Sequence, residues 1–247
     1  MTELERRLAR VRREMDEAAR RAGRSADAVT LVAAVKTQSN DTVRAAVAAG
    51  IADCGENRVQ ELTAHLAAGA FADARLHFIG HLQTNKVKEV VGRAALIHSV
   101  SSERLLRAIE SRAAALGIVQ EVLLEVNLAG EASKSGFAPE EALPAARLAA
   151  TLPHVRVRGL MCIPPIAAAP GANRPYFAKM RALGVDISRK MGDNNVNMDY
   201  LSMGMSADFQ DAIAEGATHI RLGAALFGPR PPAGPLVENQ NGKGQLS

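Results

Sequence analysis

The chain has 247 residues, 47% hydrophobic and 23% charged, enough to bury a substantial core, most simply as one large α/β domain. No stretch approaches the roughly 18 uninterrupted apolar residues of a membrane helix, and the N-terminus lacks an apolar signal-peptide core, so no membrane partner and a cytoplasmic location are expected. A net charge of +4 does not imply nucleic acid: the first arginines interleave with Glu3, Glu5, Glu14, Asp16 and Glu17, and with 3% aromatics and no tryptophan there is no base-stacking platform.

In chain order, Leu4, Leu8, Val11, Met15, Ala18 and Ala22 recur at three- and four-residue spacing and predict an amphipathic helix over 2–22, ended by Gly23. Apolar strand-like runs follow at about 29–35, 51–54, 75–80, 94–99, 119–127, 155–163, 199–203 and 218–223, with helix-like segments between them. Cys54 and Cys162 each follow such a run and read as core residues in a reducing compartment, not as a disulfide.

About eight strands alternating with seven helices predict a (β/α)8 TIM-type barrel, because parallel strands need crossover helices. The rival doubly wound sheet usually carries a glycine-rich first turn, and no G-x-G-x-x-G follows the first strand. After the eighth strand, Ala225-Leu-Phe-Gly-Pro and the Pro231-Pro-Ala-Gly-Pro run cannot build a long helix. The N-terminal helix is therefore expected to fill that gap on the outside of the barrel. Residues 1–230 form the single domain, and 231–247 are a polar tail expected to be mobile.

Barrel sites lie at the C-terminal strand ends, and polar residues collect there. Lys36 ends the first run, where desolvation would lower its pKa and favour a nucleophilic amine able to form a Schiff base; the ordinary alternative is a snorkelling lysine. Glu56, Asn57 and Arg58 follow the second, Gly80 and His81 the third, Ser99 lies near the fourth, Asn127 ends the fifth and Met161 the sixth. Ser202-Met-Gly-Met-Ser206 and Arg221-Leu-Gly223 end the last two, where many barrels bind phosphate. The two serines offer hydroxyls, Gly204 and Gly223 let backbone N–H groups approach an anion, and Ser206 could instead simply cap a helix. His77 and His81 are four apart, but across a strand and its turn that spacing does not make a zinc pair.

Val35-Lys36-Thr37, Gly55-Glu-Asn-Arg-Val-Gln-Glu61, His77-Phe-Ile-Gly-His-Leu-Gln-Thr-Asn-Lys86, Val126-Asn127 with Lys134-Ser-Gly-Phe137, Gly159-Leu-Met161, Leu201-Ser-Met-Gly-Met-Ser206 and Ile220-Arg-Leu-Gly223 together resemble the YggS/PROSC family of pyridoxal-phosphate homeostasis proteins. The resemblance spans roughly residues 3 to 230 and implies the barrel of the alanine racemase N-terminal domain without a second domain. It implies that Lys36 holds pyridoxal 5′-phosphate (PLP) as a Schiff base, with the phosphate against Ser202 or Ser206 and the Gly223-Ala224 backbone. By the same resemblance Arg221 faces the pyridine nitrogen, Asn57 and His81 line the mouth, and Met161 touches the ring. Relatives commonly carry threonine where this chain has Ala224, so one hydroxyl is absent.

The loop from Asn127 to Phe137 is placed to cover the mouth, and Lys134 either reaches an anion there or is simply exposed. The leading expectation is a monomeric carrier that captures, stores and delivers PLP to apo-enzymes by transient contact. A weak PLP-dependent amino-acid racemase or lyase is the alternative; it lacks the opposite-face base, since Tyr176 and Tyr200 are the only tyrosines and neither is an obvious candidate. A cofactor-free Schiff-base aldolase is a third reading.

Overall fold

A computed structural model describes residues 1–131, 134–192 and 195–229. Eight parallel strands close into a barrel in sequence order: β1 (Thr30–Ala34), β2 (Asp53–Glu56), β3 (Arg75–Phe78), β4 (Leu96–Val100), β5 (Gln120–Glu125), β6 (Val155–Met161), β7 (Val196–Ser202) and β8 (His219–Leu222). Closure is made by β1 against β8, with Val32 opposite Arg221 and Ala33 opposite Leu222. The expected (β/α)8 architecture is the one observed. The tail expected to be mobile lies outside the described residues.

Each strand is buried on two faces. Outward residues such as Ala33, Val35, Cys54, Phe78, Ile97 and Val122 join the main core beneath the helices. Inward residues form two small apolar clusters, Val32 with Ala34 and Ile79, and Leu96 with Leu123 and Met161. Polar side chains occupy much of the remaining interior.

The N-terminal helix α1 (Glu3–Arg21) starts in a capping box, in which Thr2 accepts from the Glu5 amide and Glu5 accepts from the Thr2 amide. It ends where Gly23 takes a left-handed φ of 67°, its N–H bonded to the Arg20 carbonyl and that of Arg24 to Ala19. Leu8, Val11, Met15, Ala18 and Ala19 are buried on its inner face. The helix packs against two short helices flanking β8, α8 (Phe209–Ala214) and α9 (Ala224–Phe227). Arg24 adds a 2.8 Å bond to the Ile213 carbonyl. The four-residue α9 leaves open the slot that a full eighth helix would occupy, and α1 fills it as expected.

β7 begins three residues before the predicted run. Between Val157↔Val196 and Gly159↔Tyr200 the register shifts, with two residues of β6 spanning four of β7. The bulged entry exposes Asp199 and half-exposes Asn197, so its sequence lacks the apolar look of a barrel strand. β2 also lies later than the predicted 51–54 run, because Asp53 and Glu56 are polar although fully enclosed by neighbouring elements.

Cys54 and Cys162 are buried free thiols, and burial, assisted by nearby carboxylates, pushes each up to about 12. Native protein treated with a thiolate-directed alkylating agent at mild alkaline pH is expected to remain unmodified by mass, whereas denatured protein takes two labels. Rapid labelling of the native chain would contradict this burial.

Candidate functional site at the barrel mouth

Lys36 follows Val35, whose side chain points outward into the main core, so the alternation of the strand aims Lys36 inward above Ala34 and Val32. The lysine is half-buried. Its loop is shaped from outside the barrel: Thr37 adopts a left-handed φ of 63° and donates its amide to the Glu61 carboxylate at 3.2 Å. His65 Nε2 lies 3.1 Å from the Gln38 carbonyl, and its Nδ1 lies 2.6 Å from buried Glu56 Oε1. Burial raises the Glu56 carboxyl against the opposing pull of His65. Two carboxylates and a histidine from β2 and α3 (Val59–Ala67) thus set the turn that carries Lys36.

Arg221, inward on β8, is 5% exposed and donates from Nη1 to Ser202 Oγ at 2.6 Å and from Nη2 to the Cys162 carbonyl at 2.9 Å. Among the described residues no carboxylate lies within salt-bridge distance of it, so an ordinary rim ion pair does not account for its position. Burial lowers its pKa, with Cys162, Glu125 and Asp208 opposing; a guanidinium has enough margin to stay charged. Two of its five N–H groups are used in these bonds.

Ser202 is one of the two serines expected against a phosphate. It is fully buried, and its hydroxyl sits between Arg221 and His98 Nδ1, 2.8 Å away. Ser206 is the half-buried serine of the pair. It does not cap α8, which begins three residues later behind Asp208; its Oγ accepts the Ala225 amide at 3.1 Å, placing it beside Gly223 and Ala224. Gly204 serves packing, since a Cβ there would lie 2.5 Å from that of Ala212 at a φ of 92°. Gly223 is half-buried beside Ala34, and Ala224 is exposed.

Asn57 is half-buried just past β2, with a buried Oδ1 that has no hydrogen-bond partner. Gly80 packs directly on its backbone, where a Cβ would fall 2.0 Å from the Asn57 carbonyl oxygen. His81 is exposed, with Nδ1 2.9 Å from Ser135 Oγ, whereas His77 points into the barrel, so these two histidines diverge. On either side of residues 132–133, which lie outside the described residues, Val126 bridges Phe137 and Asn127 Nδ2 donates to the Glu131 carbonyl. Lys134 is engaged by Glu131 Oε1 at 2.8 Å and the Pro164 carbonyl at 3.3 Å.

Met161 is fully buried with Leu96 and Leu123, beneath the mouth rather than at its surface. Tyr200 also lies inside, 4.7 Å beneath the Arg158 guanidinium, which donates to its hydroxyl at 3.3 Å. Four inward residues escaped the sequence reading: Asp53, which meets His77; Glu125, whose carboxyl burial raises and whose Oε2 has no partner; and the histidines His98 and His219. Their signal is a polar residue at alternate positions of an otherwise apolar strand.

An amine at the end of β1, a fixed guanidinium on neighbouring β8, a buried amide oxygen without a hydrogen-bond partner and a hydroxyl beside Gly223 and Ala224 thus collect at one end of the barrel. The family model described as alanine racemase, N-terminal domain, matches residues 7–231. A pyridoxal phosphate homeostasis protein of Aquifex aeolicus is 44% identical over 224 residues, covering 91% of this chain and 97% of its own. Another from Pseudomonas aeruginosa is 42% identical, covering 90% and 94%. PipY of Synechococcus elongatus, solved with PLP bound, superposes with a TM-score of 0.79 at 32% identity, covering 92% of this chain and all of PipY. The chain belongs to the alanine racemase N-terminal domain family and, within it, to the pyridoxal phosphate homeostasis proteins.

Proposed function

We propose that the chain binds pyridoxal 5′-phosphate at the barrel mouth, holds it as a Schiff base on Lys36, and serves its homeostasis by capturing, storing and releasing it to apo-enzymes. The observation that carries this reading is the pairing of β1 with β8, which brings inward Lys36 and the immobilised Arg221 to adjacent strands at one mouth. The relatives' names and the PLP-bound PipY support it. Bound pyridoxal phosphate supplies an aldehyde that condenses with a primary amine, with loss of water.

The protein's residues have distinct parts in this reading. Lys36 provides the amine, and its pinned loop keeps that amine at the mouth. Arg221, always a donor, meets the pyridine nitrogen and keeps it unprotonated, which weakens the electron sink a catalyst needs and suits holding over turnover. Ser206 and the Gly223-Ala224 backbone face the phosphate, without a side-chain hydroxyl at 224. The orphan Asn57 Oδ1 accepts from the ligand or its water.

Loaded protein passed through gel filtration is expected to emerge coloured at the mass of one chain, 26.1 kDa. It should then reactivate an apo-enzyme while a phosphatase destroys free PLP. Colour lost on the column would end the storage reading, a coloured species of twice the mass would end the single-chain one, and no reactivation would end delivery by contact.

A further inference from the structure

A continuous line of buried hydrogen bonds crosses the barrel from its foot to Arg221. Arg75, at the start of β3, grips Asp53 through Nε at 2.8 Å and Nη2 at 3.0 Å. Asp53 Oδ1 meets His77 Nε2 at 2.8 Å, His77 Nδ1 meets His98 Nε2 at 2.8 Å, and His98 Nδ1 meets Ser202 Oγ at 2.8 Å. Ser202 receives Arg221 Nη1 at 2.6 Å. Asp53, His77, His98, Ser202 and Arg221 are all buried, while the Arg75 side chain is 64% exposed beside an open cleft of about 530 Å³ at the foot.

The two ends of this line decide its direction. A guanidinium only donates, and an ionised carboxylate only accepts. Burial opposes ionisation of Asp53, but bonds from His77 and Arg75 outweigh it and hold its carboxyl below the ordinary range. His98 is kept neutral by complete burial, with His77, His219 and Arg221 adding to the effect. With a single proton on its ring, His77 donates Nε2–H to Asp53, which leaves Nδ1 to accept from His98 Nε2–H. His98 Nδ1 then accepts the Ser202 hydroxyl proton, and the Ser202 oxygen is free to accept from Arg221. Each proton along the line is used once. The opposite tautomer of His98 would aim a second donor at Ser202 and strand the serine proton in a dry site, at a cost typical of a buried unsatisfied donor.

We infer that His98 is a positioning residue for the cofactor site: with His77 and Asp53 it sets the direction of hydrogen bonding through Ser202, and thereby the donor face that Arg221 presents to the pyridine nitrogen of bound pyridoxal phosphate. This rests on the proposed cofactor reading. His98 touches no ligand and acts through Ser202 and Arg221, as outer residues do when they orient a ligand-contacting group.

The test compares wild type, His98→Leu and His98→Gln, each loaded with PLP and reduced with borohydride in parallel. Glutamine reproduces one acceptor and one donor, and leucine neither. His98→Leu is expected to keep the reducible adduct on Lys36 but to shift the absorption band and lose the cofactor roughly two- to thirtyfold faster; His98→Gln should restore both. A His98→Leu protein that is only less heat-stable, with the wild-type band and release rate, overturns the proposal. Imidazole ¹⁵N spectra of the wild type decide it without any variant: Nε2–H tautomers at both His77 and His98 support the relay, and Nδ1–H at His98 overturns it. A wild type that takes up no cofactor overturns the cofactor reading itself, and the ¹⁵N spectra still report separately on the relay.

Discussion

Lys36→Ala is expected to abolish the covalent adduct with pyridoxal phosphate completely while leaving the barrel folded. Alanine continues the turn after β1 without disturbing Val32, Ala34 or Val35, which carry the packing on both faces of the strand. A half-buried mouth position changed in this way shifts the melting temperature by a few degrees at most. Mass spectrometry after loading and borohydride treatment would read one species, the unmodified chain. An adduct of wild-type yield in Lys36→Ala would move the reactive amine elsewhere, Lys134 being the lysine to examine first, although Glu131 and the Pro164 carbonyl already engage it.

Gly159→Ala should be the most destructive single methyl addition. Gly159 lies at the β6/β7 bulge with a φ of 150°, and a Cβ would fall 1.8 Å from the Tyr200 carbonyl oxygen and 2.9 Å from its amide nitrogen. Those are backbone atoms of a paired strand, so relief requires moving β7 and with it Ser202, which fixes Arg221. The cost is expected to exceed about 4 kcal/mol, visible as insoluble expression or a melting temperature lower by roughly 10 °C or more. Gly184→Ala is the matched control. In the long helix α7 (Arg174–Lys190) its Cβ would meet only Leu201 Cδ2 at 3.4 Å and Leu160 Cδ1 at 3.8 Å, while helix propensity favours alanine by about 0.5–1 kcal/mol. If Gly159→Ala melted like wild type, the tight β6–β7 approach would be refuted.

Barrel closure was legible because most of the strands announce themselves through apolar outward faces that the helices must cover, and α1 through its three-to-four spacing. β7 was caught only at its apolar end, since Asn197 interrupts the apolar run and the register shift leaves Asp199 exposed, removing the pattern that periodicity detects. At the mouth, Lys36 and Arg221 could be named from their strand-end positions. What linear reading could not assign is how hydroxyls are used: Ser202 and Ser206 look equivalent in the motif, yet β7 ends at Ser202 and buries it against Arg221, while Ser206 lies in the turn beyond, beside Ala225. Asp53, His77 and His98 lie on three different strands, and nothing along the chain indicates that closure aligns their rings and carboxylate into one line. That arrangement exists only once the strands' register is set.

The most direct test of the account is borohydride reduction of PLP-loaded wild-type protein followed by peptide mapping. The account predicts a Schiff-base absorption band that disappears on reduction, with the reduced pyridoxyl phosphate found on the peptide carrying Lys36. No band after addition of pyridoxal phosphate, or a reduced adduct confined to any other lysine, would contradict it.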